Sequence, residues 1–204
     1  MKITSLEPQV HKKNRLNMYV DGKFYSGLLI STAASLGLYE NKEVTAFEIA
    51  NIDVEEEYQK CMTSALLLAS RRMQSEKEYW QKLGKRYDKA IIGTCLDRLR
   101  VLGYADDKHF AEMWVRERSI NRGVVLLRQE LTQKGVDKYI VEDCLANIAD
   151  DLTIETAKSL ALRKYKPDIA RQENFAKIVG YLNRRGYSYD TAKSVFNLID
   201  KTTD

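Results

Sequence analysis

Tyr104-Ala-Asp-Asp107 has the strongest claim to chemistry in this sequence. Adjacent carboxylates after a tyrosine match the Tyr-x-Asp-Asp of reverse-transcriptase-like sites, where acids converge on two divalent ions. Those acids normally come from strands, whereas this pair has no strand context. Asp106-Asp107 also has a counterpart, Asp150-Asp151, at an equivalent junction further along the chain. Carboxylates at such a place accept the free N–H groups of a first helical turn and complement its dipole. The pair is therefore expected to begin a helix, and a nuclease or polymerase fragment rests on this motif alone. His11 and His109, the only histidines, have no Cys or His neighbour at ligand spacing, so no metal site is expected. Three cysteines without Cys-x-x-Cys spacing argue against a disulfide scaffold and a zinc cluster. Cys95 and Cys144 share one position in two copies of a repeat, which points to packing; Cys61 has no identifiable base. No Gly-rich Walker loop or GxGxxG occurs, so the chain should hydrolyse no ATP of its own, and no cofactor is expected.

The elements that would position these groups follow from composition and periodicity. Only two prolines in 204 residues, with 44% hydrophobic and 30% charged side chains, favour a mostly helical fold. Near the start, Asp21-Gly22 lies between two strand-like runs and accepts the positive φ angles of a type I′ turn, predicting a β-hairpin. Ser31 is placed to cap a short helix over Thr32–Leu38, and Thr45-Ala-Phe-Glu48 has capping-box spacing for another short helix. From about residue 55 the sequence repeats itself. Ile91, Ile92, Cys95, Leu96 and Leu99 form one helical stripe, and Ile140, Val141, Cys144, Leu145 and Ile148 repeat its spacing. Thr191, Ala192, Val195, Phe196 and Ile199 repeat it again. Each stripe follows a pair four apart (Tyr79 and Leu83, Leu127 and Leu131, Ile178 and Leu182) and, further upstream, Ala65, Ala111 or Ala157 with Leu68, Trp114 or Leu160 three residues on. This predicts three copies of a three-helix unit, which must stack or follow one another to bury their stripes. The divisions are 1–54, a β-hairpin and short-helix lead-in, then repeats at 55–105, 106–150 and 151–204. Gly103, Gly135 and Gly186 stand where helices end and a left-handed residue is wanted, and Ser75-Glu-Lys-Glu78 has capping-box spacing. Helical spacing assigns Trp80 and Trp114 to the core.

Charge is distributed in blocks. Residues 1–57, 58–105, 106–151 and 152–204 carry −3, +6, −3 and +4, within a net charge of +4. Such alternation suits local contact with a mixed or polyanionic partner, and does not resemble a uniformly basic nucleic-acid sleeve. Arg72, Arg118 and Lys164 recur seven residues after the marker alanines; Lys85-Arg86, Lys134 and Arg184-Arg185 recur near the end of each second helix. Cations there complement the helix dipole, or form a track for a polyanion or an acidic protein groove. The start of the chain has no apolar run of signal-peptide type, and Ala65–Ala69 is far too short to span a bilayer, so a soluble, cytoplasmic protein without membrane association is expected.

Laid out in copies, the sequence resembles the RecX family of bacterial regulatory proteins, closely over about residues 60–150 and more loosely elsewhere. The carriers are Ala65-Leu-Leu-Leu68, Arg72-Met-Gln-Ser75, Glu78 through Leu83, Leu99, Leu102-Gly-Tyr104, Asp106-Asp107 and Phe110-Ala111. Arg116, Arg118, Gly123 and Leu131-Thr-Gln-Lys-Gly-Val136 complete the pattern. Arg86 stands where the first copy usually has a glycine, and Val124 where proline is common. The resemblance implies a mainly α fold of tandem three-helix repeats in an elongated, curved array, acting as a monomer without catalysis. It also implies a partner, the RecA recombinase polymerised on single-stranded DNA, whose ATPase, strand-exchange and coprotease activities family members suppress. Arg72, Arg116, Arg118, Arg122, Lys134, Arg184 and Arg185 are the candidate filament- or DNA-binding residues. The competing expectation is a helical-repeat module that binds single- or double-stranded DNA directly and affects RecA only by competition.

Overall fold

A computed structural model describes residues 1–146, 148, 150–165 and 174–200. It is mainly helical, with one three-stranded antiparallel sheet of order β1-β2-β3. The chain forms two compact units: Met1–Gln74 with Tyr79–Ala105, and Ser75–Glu78 with Asp106–Asp204.

In the first unit, β2 (Lys12–Val20) and β3 (Lys23–Leu29) make the expected hairpin. Asp21 (φ 49°) and Gly22 (φ 77°) supply its two left-handed turn residues. The hairpin is only part of the sheet, because β1 (Ile3–Gln9) pairs with β2. A register shift between Ile3 and Ser5 breaks strict alternation, so Ile3 and Leu6, three apart, both reach the core around Met18, Leu28, Ala33, Val44 and Ile52. That irregularity, and Pro8 on an edge strand, hid β1 from a reading based on alternation.

Two further expectations about this segment are corrected. Ser31 is not a cap: α1 (Ile30–Ser35) starts directly from β3, with Leu29 at its N-cap position and no side-chain cap. Glu56 instead accepts the Leu29 N–H (2.7 Å) and the Thr32 hydroxyl (2.6 Å). The Thr45–Glu48 capping box is present, but the helix it opens is long, not short: α2 runs through Ala46–Arg71, 26 residues. Its first half covers the sheet through Ile52. Its second half places Cys61 and Ala65 in another core, with Tyr79, Leu83, Ile92, Cys95, Leu96 and Leu99. Two environments along one helix obscured its continuity.

The repeat signature is borne out at most of its marker positions. The helices are α2, α3 (Glu76–Leu83) and α4 (Lys89–Val101); α5 (Asp107–Arg118), α6 (Val124–Gln133) and α7 (Lys138–Ala146); α8 (Asp150–Lys164), α9 (Phe175–Arg184) and α10 (Tyr189–Asp200). Ala65, Ala111 and Ala157 are fully buried, as are Tyr79, Leu83, Leu127, Leu131, Ile178 and Leu182 or nearly so. The third-helix stripes are buried at Ile92–Leu99, Val141–Leu145 and Ala192–Ile199 at the expected spacing, while Ile91, Ile140, Ile148 and Thr191 at their margins are half-buried. Gly103, Gly135 and Gly186 have φ of 76°, 83° and 85° and end α4, α6 and α9. With Arg86 in place of a glycine, α3 ends differently: the Arg86 and Tyr87 N–H groups both donate to the Leu83 carbonyl. Trp80 is not a core residue. Its neighbour Tyr79 occupies the buried face of α3, and one residue further turns the indole about 100° away, to 36% exposure. No described helix is long and apolar enough to cross a membrane.

Candidate functional site

The adjacent aspartates are caps for two different helices. Asp106 Oδ1 accepts the His109 N–H at 2.9 Å, at the N-terminus of α5. Asp107 Oδ1 accepts the Glu76 N–H at 2.9 Å, at the start of α3. A cap of this kind contributes about 1 kcal/mol. The expectation that the pair begins a helix holds, with Asp106 as the N-cap of α5 and Asp107 as its first residue; the bond from Glu76 gives Asp107 a second role that the sequence did not announce. Among the described residues, no group of three or more His, Cys, Asp or Glu side chains could hold a metal ion. The Asp150-Asp151 pair opens α8, but its side chains lie outside the described residues. Cys61 and Cys95 are both fully buried. A hydrogen bond to Cys95 and burial push the Cys61 thiol up. Burial likewise raises that of Cys144, so neither is poised as a thiolate.

The second helices of successive copies meet end to end within the second unit. The Gly123 N–H donates to the Arg185 carbonyl (2.8 Å) and the Val125 N–H to the Gly186 carbonyl (3.1 Å), so the free N–H groups of α6 meet the free carbonyls of α9. The contact has no room for a side chain: a Cβ on Gly123 would stand 2.3 Å from the Gly186 oxygen. At the other end of α6, the Ser75 hydroxyl donates to the Lys134 carbonyl (2.7 Å) and Lys77 Nζ to that of Gln133 (3.1 Å). Ser75 and Glu78 form the expected capping box (3.2 and 3.4 Å). Glu78 Oε1 also takes the Lys134 ammonium at 2.6 Å.

These junctions gather four of the seven candidate cations. Gly123 against Arg185 brings the neighbouring Arg122 to the α6–α9 junction. Arg118, one turn before it at the end of α5, and Arg122 both pair with Glu130 on α6. Trp114 Nε1–H donates to the Glu130 carboxylate at 2.8 Å. The Arg118 guanidinium lies 3.8 Å from the centre of the Trp114 ring and the Lys134 ammonium 5.2 Å. Each such contact is worth about 0.5–1 kcal/mol where exposed. Arg185 lies 5.4 Å over Tyr181. The other three candidates are elsewhere. Arg116 is exposed in a hollow lined by Glu112, Val115, Asp143, Cys144 and Ile148. Arg184 is exposed on α9, and Arg72, in the first unit, donates to the Met73 carbonyl at 2.8 Å. Sequence reasoning missed the organising acids, Glu130 and the second role of Glu78, whose partners are distant in sequence. It also placed in the core a Trp114 that is half-buried beneath two cations. The recurrence of a cation just before the glycine that ends α6 and α9, at Lys134 and Arg185, marked the cations but not the acids.

Two family descriptions match the chain: "RecX, second three-helix domain" over residues 106–145, and "Regulatory protein RecX N-terminal domain" over residues 1–45. The chain is 30% identical over 199 residues to the regulatory protein RecX of Clostridium perfringens (strain SM101 / Type A), covering 95% of this chain and 94% of the relative. It is 29% identical over 201 residues to that of Clostridium tetani, covering 96% and 93%. Among solved structures it is similar to a crystal structure of regulatory protein RecX, with a TM-score of 0.77 and 27% identity over 96% of this chain and 98% of the other. RecX from Lactobacillus salivarius matches with a TM-score of 0.62 and 28% identity, over 71% and 97%.

Proposed function

The chain belongs to the RecX family of regulatory proteins, and on that premise we propose that it is a non-enzymatic modulator of RecA that binds the recombinase filament on single-stranded DNA and restrains its ATPase, recombinase and coprotease activities. The three copies, at 55–105, 106–150 and 151–204, are the units of contact. The observation that carries this reading is the recurrence of cations at the end-to-end junctions of the second helices, Lys134 at one and Arg122 with Arg185 at the next. A filament repeats its surface, so recurring contacts of modest strength add through multivalency. Arg118, Arg122, Lys134 and Arg185 are the proposed centre of the binding face, with Arg72, Arg116 and Arg184 as outlying contacts.

Binding tests the reading directly. Fluorescently labelled protein should bind filaments assembled on oligothymidylate with a non-hydrolysable nucleotide at least tenfold more tightly than it binds bare oligothymidylate. Affinity should fall as salt rises. Equal affinity for bare and RecA-coated DNA, with a steep salt slope, would replace this reading with the direct nucleic-acid module.

A further inference from the structure

Among the described residues, charge at the α6–α9 junction does not balance. Arg118 and Arg122 share Glu130, and the Gly123 N–H bond to the Arg185 carbonyl brings Arg185 to the same junction. Glu130 is the one carboxylate among the described residues that meets any of them. Arg185 has no ion pair among the described residues and rests on Tyr181. Arg118 Nε is buried and meets no hydrogen-bond partner among the described residues. Burial, then repulsion from Arg118 and Arg185, lowers the pKa of the Arg122 guanidinium from its ordinary value. Lys134 is not part of this excess, because Glu78 neutralises it.

The chemistry of the missing anion is set by the one already present. Glu130 sits with Oε2 on the Trp114 indole N–H and facing Arg118, and with Oε1 on Arg122, so a carboxylate is the anion these side chains already take. The surroundings favour a protein over a nucleic-acid strand. Residues 106–151, which hold most of the cluster, carry a net −3. Arg116, which would extend a cationic row, lies beside Glu112 and Asp143. A phosphate backbone needs a continuous track of cations, and its approach is opposed by a negative block. A single acidic side chain needs only the local cluster.

We infer that Arg118, Arg122 and Arg185 are a receptor for a carboxylate-bearing segment of a protein partner, and that Glu130 is an internal carboxylate competing for the same donors. The inference deepens the protein-partner reading above and rests on it for the identity of the partner surface. Glu130 then sets affinity by holding the cluster partly neutral until the partner's acid arrives.

Arg185→Gln and Glu130→Gln test this in the full chain. Arg185 has no ion pair among the described residues, and Gln at 130 retains an acceptor for the Trp114 indole, so both variants should unfold close to wild type. Arg185→Gln should weaken filament binding about tenfold. Glu130→Gln should tighten it several-fold, and both should leave binding to bare oligothymidylate within about twofold. If neither variant changes filament affinity, the receptor is wrong; if both shift bare DNA as strongly as filaments, the cluster is a phosphate site instead. A second readout needs no filament: the ¹⁵N–¹H signal of the Trp114 indole should move on adding hexaglutamate, and move much less with Arg185→Gln. A moving Trp114 signal in a protein that ignores filaments would keep the receptor and reject the RecA reading. Filament binding with a static Trp114 signal and indifferent variants would do the reverse.

Discussion

Gly186→Ala should destabilise the second unit by about 3 kcal/mol, while Gly103→Ala should cost the first only about 1 kcal/mol. Both glycines end helices at similar positive φ, 85° and 76°, where an L side chain is strained. They differ in what a Cβ would meet. At Gly103 nothing lies within 4 Å; at Gly186 the Leu126 Cβ would be 2.3 Å away and its backbone N 2.5 Å. Relief requires the end of α9 to leave α6, breaking the Val125 N–H bond to the Gly186 carbonyl. Urea unfolding followed by circular dichroism gives the loss of stability, and amide exchange at Gly123 and Val125 locates it. Equal losses at the two glycines would show that the junction tolerates an added carbon and does not hold the copies in register.

A loss of about 3–5 kcal/mol is expected for Glu56→Ala. Glu56 is 6% exposed and joins four groups from four elements: the Leu29 N–H, the Thr32 hydroxyl, Arg15 at 3.2 Å and Lys60 at 3.2 Å. Alanine would leave the Arg15 guanidinium, which also donates to the Gly27 carbonyl, without its counter-charge beneath the sheet, and two further donors unmet. Glu56→Gln keeps acceptors for two of the four and should lose distinctly less. The check is the urea midpoint of both variants, with exchange at the Leu29 amide as the local reporter. An alanine variant as stable as wild type would mean that the sheet and α2 are held by their apolar core alone.

What could be read in the sequence was local. The Asp21-Gly22 turn, the Thr45 and Ser75 capping boxes, the glycines at helix ends and the three apolar stripes each depend on residues within a few positions, and all stand in the fold. What escaped depends on distant neighbours or on a broken period. β1 carries a register shift, α2 changes partners midway, and Asp107 caps a helix 31 residues earlier. The same holds for the candidate site. Its cations were visible because they recur with the repeat. Glu130 lies 16 residues from Trp114, and Glu78 lies 56 from Lys134, so nothing local announced the acids that organise them.

RecA's ATPase on single-stranded DNA, measured on pre-formed filaments as this protein is added, tests the central claim most directly. The account predicts inhibition well below one molecule per RecA, with no ATP hydrolysis by the protein alone. Undiminished RecA ATPase at equimolar protein and low salt would contradict it.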